Sequence, residues 1–231
     1  MQRFGALYWL GCHVLRAHLK IWHRLRAVGV HNVPASGGGI VAANHTSHLD
    51  PPAVGCSTRR AIRFVGKEEL FHQPILGWFL RGAGVIPIKR GGGGKFMLEK
   101  AAEAIRQGDL VMLFPEGTRS RTGFPGRPRT GMIVLAAMTG APIIPVRVSG
   151  SYDCMPLGSL FPRPGLIQVA FGEPVSWKPG ELDLSNRDQM VNEARRVMDI
   201  IMTLPGWPPK KAKAGPDDPV EVAASVALKD E

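Results

Sequence analysis

Aromatic side chains make up only 7% of the 231 residues, and cysteine occurs three times, at Cys12, Cys56 and Cys154. No two of these form a Cys-x-x-Cys pair, so a disulfide framework and a thiolate zinc site are both unsupported, and the usage fits a reducing compartment. Few aromatics and no single Lys/Arg stripe argue against nucleic acid as the partner. The chain has no Gly-x-Ser-x-Gly elbow, which removes the commonest sign of a serine nucleophile. It also lacks the run of about 20 apolar residues that spans a bilayer, because Arg16 and Lys20 interrupt the first apolar stretch. No small-residue cleavage site follows that stretch, and no internal repeat occurs. Acid is scarce as well: 19 Asp and Glu stand against 29 Lys and Arg, a net charge of +10. Such a surplus calls for an anionic partner, either an anionic membrane surface, an acidic carrier protein or, against the composition, nucleic acid. The length suits one domain with a substantial core.

What is present begins with Asn44-His45-Thr46-Ser47-His48-Leu49-Asp50. Gly39 to Ala43 reads as a strand buried on both faces, and Asp50-Pro51-Pro52 as an N-cap followed by proline in the first helical turn. His45 is thereby placed past the carboxyl end of a strand, the edge at which open α/β sheets bind ligands. Within a five-residue turn, the Asp50 carboxylate can reach one imidazole nitrogen of His45. The other nitrogen is left to deprotonate a substrate hydroxyl. Two other readings of these residues exist. One makes them ordinary turn residues with Asp50 a helix cap. The other is a metallohydrolase, since His45-x-x-His48-x-Asp50 is one residue out of step with a known zinc signature, with Pro51 where a further ligand belongs.

Residues 4–27 read as an amphipathic basic helix, with Phe4, Leu7, Tyr8, Val14, Leu15, Leu19 and Trp22 on one side and His13, Arg16, Lys20, His23 and Arg24 on the other. It would lie in a membrane interface or pack on the core. Strands are expected at 61–65, leading to Lys67, at 84–88, made an edge by Pro87 and followed by Lys89 and Arg90, and at 110–114, 141–148 and 166–171. Helices are expected at 73–81, 95–107 and 130–139. A long one should follow a capping box of Ser185 and Asp188. Gly91 to Lys95 imitate a phosphate-binding loop, but Phe96 stands in place of Ser or Thr. After Phe114, Gly117 lets backbone approach a ligand, and the planar fork of Arg119 suits a phosphate. From Trp207 onward the composition is that of a linker, with at most a weak helix at 220–228. The expected architecture is a single α/β domain, residues 29–206, whose mixed, mostly parallel sheet is flanked by helices. An association segment (1–28) precedes it and a tail (207–231) follows.

Four stretches in order, Asn44-His45-x4-Asp50, Gly84 to Arg90, Phe114-Pro115-Glu116-Gly117-Thr118-Arg119 and Ala141 to Pro145, resemble the blocks of the glycerolipid acyltransferase family, nearest to its bacterial branch that acylates 1-acyl-glycerol-3-phosphate. The resemblance covers residues 30–175. It implies that a fatty acyl group passes from acyl-CoA or acyl carrier protein to the free hydroxyl of 1-acyl-glycerol-3-phosphate, giving phosphatidic acid, with His45 and Asp50 as the catalytic pair. Glu116, Gly117, Thr118 and Arg119 would bind the acceptor, Arg90 would help hold its phosphate, and Lys67 would contribute. Backbone N–H groups near Gly117 or Lys67 would meet the oxyanion. No metal or cofactor is implied beyond the acyl donor. The partners would be a lysophospholipid, the donor and an anionic membrane surface on the cytoplasmic side, with no nucleic acid. Pro87 and Lys89 depart from the common phenylalanine and aspartate of the second block, which bears on the acceptor more than on the reaction. A different acceptor within the family, a metallohydrolase and a basic binding protein are the competing readings.

Overall fold

A computed structural model describes residues 6–82, 84–88 and 94–208. At its centre is β2 (Gly39–Ala43), all five residues of which are buried. It is flanked in parallel by β6 (Leu110–Leu113) and β7 (Ile143–Ser149). Side chains alternate along a strand. Ile40 and Ala42 therefore meet α4 (Gly94–Arg106), α5 (Gly131–Thr139) and α7 (Arg187–Thr203), while Val41 and Ala43 meet α2 (Asp50–Ser57) on the opposite face. Two such layers of helix bury the sheet, which is why its central strands read as continuous apolar runs.

The sheet continues with β3 (Ile62–Arg63), parallel to β6, and with β8 (Gln168–Phe171), antiparallel to β7. At the far edge β1 (Arg26–Val28) runs parallel to β8, giving the order β1-β8-β7-β2-β6-β3. The mostly parallel α/β sheet is as expected. Ala43, Leu113 and Ser149 all end at one edge, and because β8 starts opposite Ser149, residues 150–167 cross that edge too.

Several local expectations need correction. The strand expected at 61–65 changes partner at Phe64: Ile62–Arg63 joins the main sheet, whereas β4 (Val65–Lys67) pairs with β5 (Ile86–Ile88) in a separate two-stranded sheet. The ion pair of Arg63 Nε with Asp109 Oδ2, 2.6 Å, holds the chain on the β6 side of this break. Pro87 sits on β5, whose one partner among the described residues is β4, so its missing N–H interrupts no second ladder. The cap of α7 is Asn186, whose side chain accepts from Gln189 N; Ser185 instead donates to Asp183. The short helix α6 (Ser151–Cys154) was not anticipated.

The first helix, α1, runs Ala6–Trp22, and α3 covers Pro74–Gly82. Residues 24–27 are not helical, because Arg24 takes a left-handed φ of 43° and the chain enters β1 through Arg26 N donating to Ile167 O. The sides of α1 also differ from the expected wheel. Arg16, expected among the outward cations, donates through Nε to Cys56 O (2.7 Å) and through a terminal nitrogen to Thr58 O (2.8 Å) at the end of α2. His23 is fully buried beside Leu19, and burial lowers its pKa. Leu10, Val14 and Ile21 face solvent. No described helix is long and apolar enough to cross a membrane. Arg90 and the segment from residue 209 on, including the weak helix at 220–228, lie outside the described residues.

Candidate active site

The chain leaves β2 through Asn44, whose buried side chain takes the place of a strand amide. Its Nδ2 donates to Val148 O (3.0 Å), and its Oδ1 accepts from Val148 N (2.7 Å). With the ladder to β7 closed by a side chain, the backbone is released to turn without orphaned polar groups. The turn then wraps around one carboxylate. Asp50 Oδ2 accepts from Thr46 N at 2.7 Å and from Ser47 N at 2.8 Å, and it lies 2.9 Å from His45 Nδ1. Asp50 is the first residue of α2 and not its cap; Leu49 occupies that position. The carboxylate points back into the turn because three donors converge there. It is wholly buried, while His45 keeps 15% of its side chain accessible.

A carboxylate accepting at Nδ1 fixes that nitrogen as N–H and leaves Nε2 as the basic one. The ring plane is set by Phe114, which stacks on the imidazole with centroids 3.6 Å apart and 13° between planes. The main chain of His45 is clamped as well: its N donates to Glu116 Oε2 (2.8 Å), and its O accepts from Ser120 N (2.8 Å). Ser47 is no nucleophile partner in this arrangement, since its Oγ donates to Met155 O. His48 is exposed on the far part of the turn. No group of three His, Cys, Asp or Glu among the described residues is placed to hold a metal ion.

Glu116 is buried, and burial pushes its carboxyl up to about 9; the nearby Asp50 adds to the rise, and the N–H of His45 works against it. At neutral pH it is therefore a protonated acid holding the His45 backbone. Expected to bind the acceptor, it is also joined to the dyad through the His45 main-chain N–H. Gly117 needs its glycine: its φ is +71°, and an added Cβ would sit 2.9 Å from Arg129 Nε. Its N–H donates to Phe114 O, so this amide is engaged elsewhere and is not aimed at an oxyanion. Thr118 is exposed and Arg119 half-buried, one residue before the Ser120 amide that binds His45 O. Lys67 ends β4 in register with Ile88, the last residue of β5.

A family model named Acyltransferase matches residues 24–149. The chain belongs to the acyltransferase family. Within it, the chain is 31% identical over 187 residues to the chloroplastic 1-acyl-sn-glycerol-3-phosphate acyltransferase LPAT1 of Arabidopsis thaliana, covering 79% of this chain and 50% of that protein. It is 25% identical over 170 residues to the 1-acyl-sn-glycerol-3-phosphate acyltransferase of Bacillus subtilis, covering 73% and 82%. The chain thus spans about half the length of its plant relatives and most of the bacterial one. The crystal structure of the 1-acyl-sn-glycerophosphate acyltransferase PlsC from Thermotoga maritima superposes with a TM-score of 0.67 at 26% identity, over 87% of this chain and 83% of that one. The contacts around His45 leave little trace in the sequence. Phe114 opens a motif without its sequence showing that it stacks on His45, and Ser120, whose N–H binds His45 O, lies just past that motif.

Proposed function

We propose that the chain transfers a fatty acyl group from acyl-CoA or acyl carrier protein to the free hydroxyl of 1-acyl-glycerol-3-phosphate, giving phosphatidic acid, at an interfacial site on the cytoplasmic side of a membrane. The observation that carries this reading is the His45–Asp50 contact of 2.9 Å, with the same carboxylate oxygen also accepting from Thr46 N and Ser47 N. The names of the plant and bacterial relatives support the acceptor. His45 Nε2 takes the hydroxyl proton as the oxygen attacks the thioester carbonyl. The tetrahedral intermediate then expels the thiolate, which takes the proton back from the imidazolium. Asp50 holds the ring and steadies its charge. General-base help of this kind is worth about 10²–10⁴-fold. The guanidinium of Arg119 matches two phosphate oxygens of the acceptor, with Arg90 and Lys67 as further cations. Interfacial association is supported by the net charge of +10 and by the outward apolar residues of α1.

The test is incubation of the purified chain with acyl-CoA or acyl carrier protein and a panel of lysolipids, read by mass spectrometry. Phosphatidic acid should form from 1-acyl-glycerol-3-phosphate and disappear with His45→Ala. Acylation of another lysolipid in preference would reassign the acceptor, and no acylation of any would remove the reading.

A further inference from the structure

Two exposed apolar segments meet at the edge that carries the dyad. After α6 the chain makes an excursion from Met155 to Pro162, closed at its base by Arg163 N donating to Cys154 O (2.8 Å). Its bend is a defined turn: Ser159 N donates to Pro156 O, and Gly158 has a φ of +89°. Beyond the bend Leu160 is 86% exposed and Phe161 80%, with Leu157 also open. Two adjacent large side chains held out by a fixed turn differ from the singly scattered apolar residues of an ordinary surface. Alongside lies the end of α1, tied to the same segment by Gly165 N donating to Trp22 O and Ile167 N donating to His23 O. There Ile21 is 79% exposed and Trp22 47%.

The exposed charge around these residues is mainly positive, although Asp153 lines the same cavity as Arg163. Lys20, Arg24, Arg26 and Arg163 are all exposed. No Asp or Glu occurs in residues 1–49 or in 154–172. Apolar tips within a cationic surround complement an anionic lipid surface, where the tips enter the acyl boundary and the cations meet headgroups. The base of the excursion is also fastened to the dyad turn, since Met155 O accepts from Ser47 Oγ at 2.8 Å.

We propose that the Leu157–Phe161 loop and the last turn of α1 form one docking face for an anionic bilayer, which sets His45 beside the headgroup layer; this rests on the lipid acceptor proposed above. The loop is then an anchor in its own right, separate from the rest of the N-terminal helix. The experiment uses the full chain and vesicles of phosphatidylcholine with and without phosphatidylglycerol, read by co-sedimentation. Burial of one Leu or Phe side chain is worth roughly a tenfold change in partitioning. Leu160→Asp/Phe161→Asp should therefore lose on the order of a hundredfold in vesicle binding. The same variant should acylate a short-chain lysophosphatidic acid, dispersed as monomers, at the wild-type rate. The milder Leu160→Ser/Phe161→Ser variant, with an unchanged thermal melt, guards against a folding defect. Wild-type partitioning of both variants would overturn the proposal, as would a loss of self-association without loss of vesicle binding, which would make the face a contact between copies. Equal binding to neutral vesicles would overturn the anionic part. If the wild-type chain acylates no lysolipid, the vesicle result still decides the docking face, so the two readings fail separately.

Discussion

The dyad turn and the arginine-bearing segment behind Gly117 share one sheet edge and are built in opposite ways. Around His45 the ring, both main-chain polar atoms and the partner carboxylate are all engaged by protein groups. Arg119, Arg121, Arg127 and Arg129 form no ion pair with a carboxylate among the described residues, and the last three are exposed. A base must be held in its working geometry before substrate arrives, since small displacements cost rate. A phosphate reader works the other way: its charge is most useful when no protein anion has already claimed it.

Substitutions on the two sides should separate the same way, and the largest effect belongs to the base. His45→Ala should lower kcat by about 10³–10⁴-fold with an unchanged circular dichroism spectrum, while His48→Ala should stay within about tenfold. Equal losses would dissolve the distinction between the two histidines. Asp50→Asn should cost kcat about 10²–10³-fold with every acceptor, because the shape is kept and the charge beside the imidazolium is lost. Steady-state kinetics on lysophosphatidic acid and on monoacylglycerol would show whether the loss is common to both. Arg119→Lys should raise the KM for lysophosphatidic acid by about tenfold and leave monoacylglycerol nearly unaffected, since an ammonium cannot reproduce the fork. A common factor for the two acceptors would move Arg119 out of the phosphate site.

The smallest effect is expected at Glu116. A neutral acid behind the dyad should tolerate Glu116→Gln within about threefold in kcat, with no rise in acceptor KM, whereas Glu116→Ala leaves the His45 N–H unmatched and should cost more. A selective rise in acceptor KM for the glutamine variant would return Glu116 to the acceptor. Stability adds a second readout. With the folded carboxyl at about 9, above its ordinary 4.5, the native state favours the proton. The stabilisation is full below the ordinary value and is lost as pH rises through the folded one. Thermal melts of the wild type should fall across that window, and those of Glu116→Gln should fall less.

Much of this arrangement can be read from residues alone. The apolar run before Asn44 and the prolines after Asp50 place the dyad at a strand-to-helix junction, because burial on both faces and proline in a first turn are strong local signals. The periodicity of α7 likewise exposes its buried face at Met190, Ala194, Val197 and Ile201. Local signals fail where a distant partner decides. Residues 24–27 continue a helical pattern, yet β8 draws Arg26–Val28 into the sheet. Phe64 sits mid-strand by pattern, but two different sheets compete for its neighbours. Arg16 looks like a solvated cation until the carbonyls at the end of α2 come within reach. Glu116 matches its motif, but its bond to a main-chain N–H 71 residues earlier has no local signal.

The grip of Arg16 on Cys56 O and Thr58 O makes α1 a clamp on the rear of α2, a rod of about 12 Å whose front residue is Asp50. Cutting away the first helix would therefore do more than remove the exposed apolar residues of α1. It would uncap the helix that carries Asp50 and free that rod to shift against the His45 imidazole. A truncated chain that lost both vesicle binding and turnover could not tell adhesion from alignment, whereas substitutions at Leu10, Val14 and Ile21, which leave Arg16 in place, could.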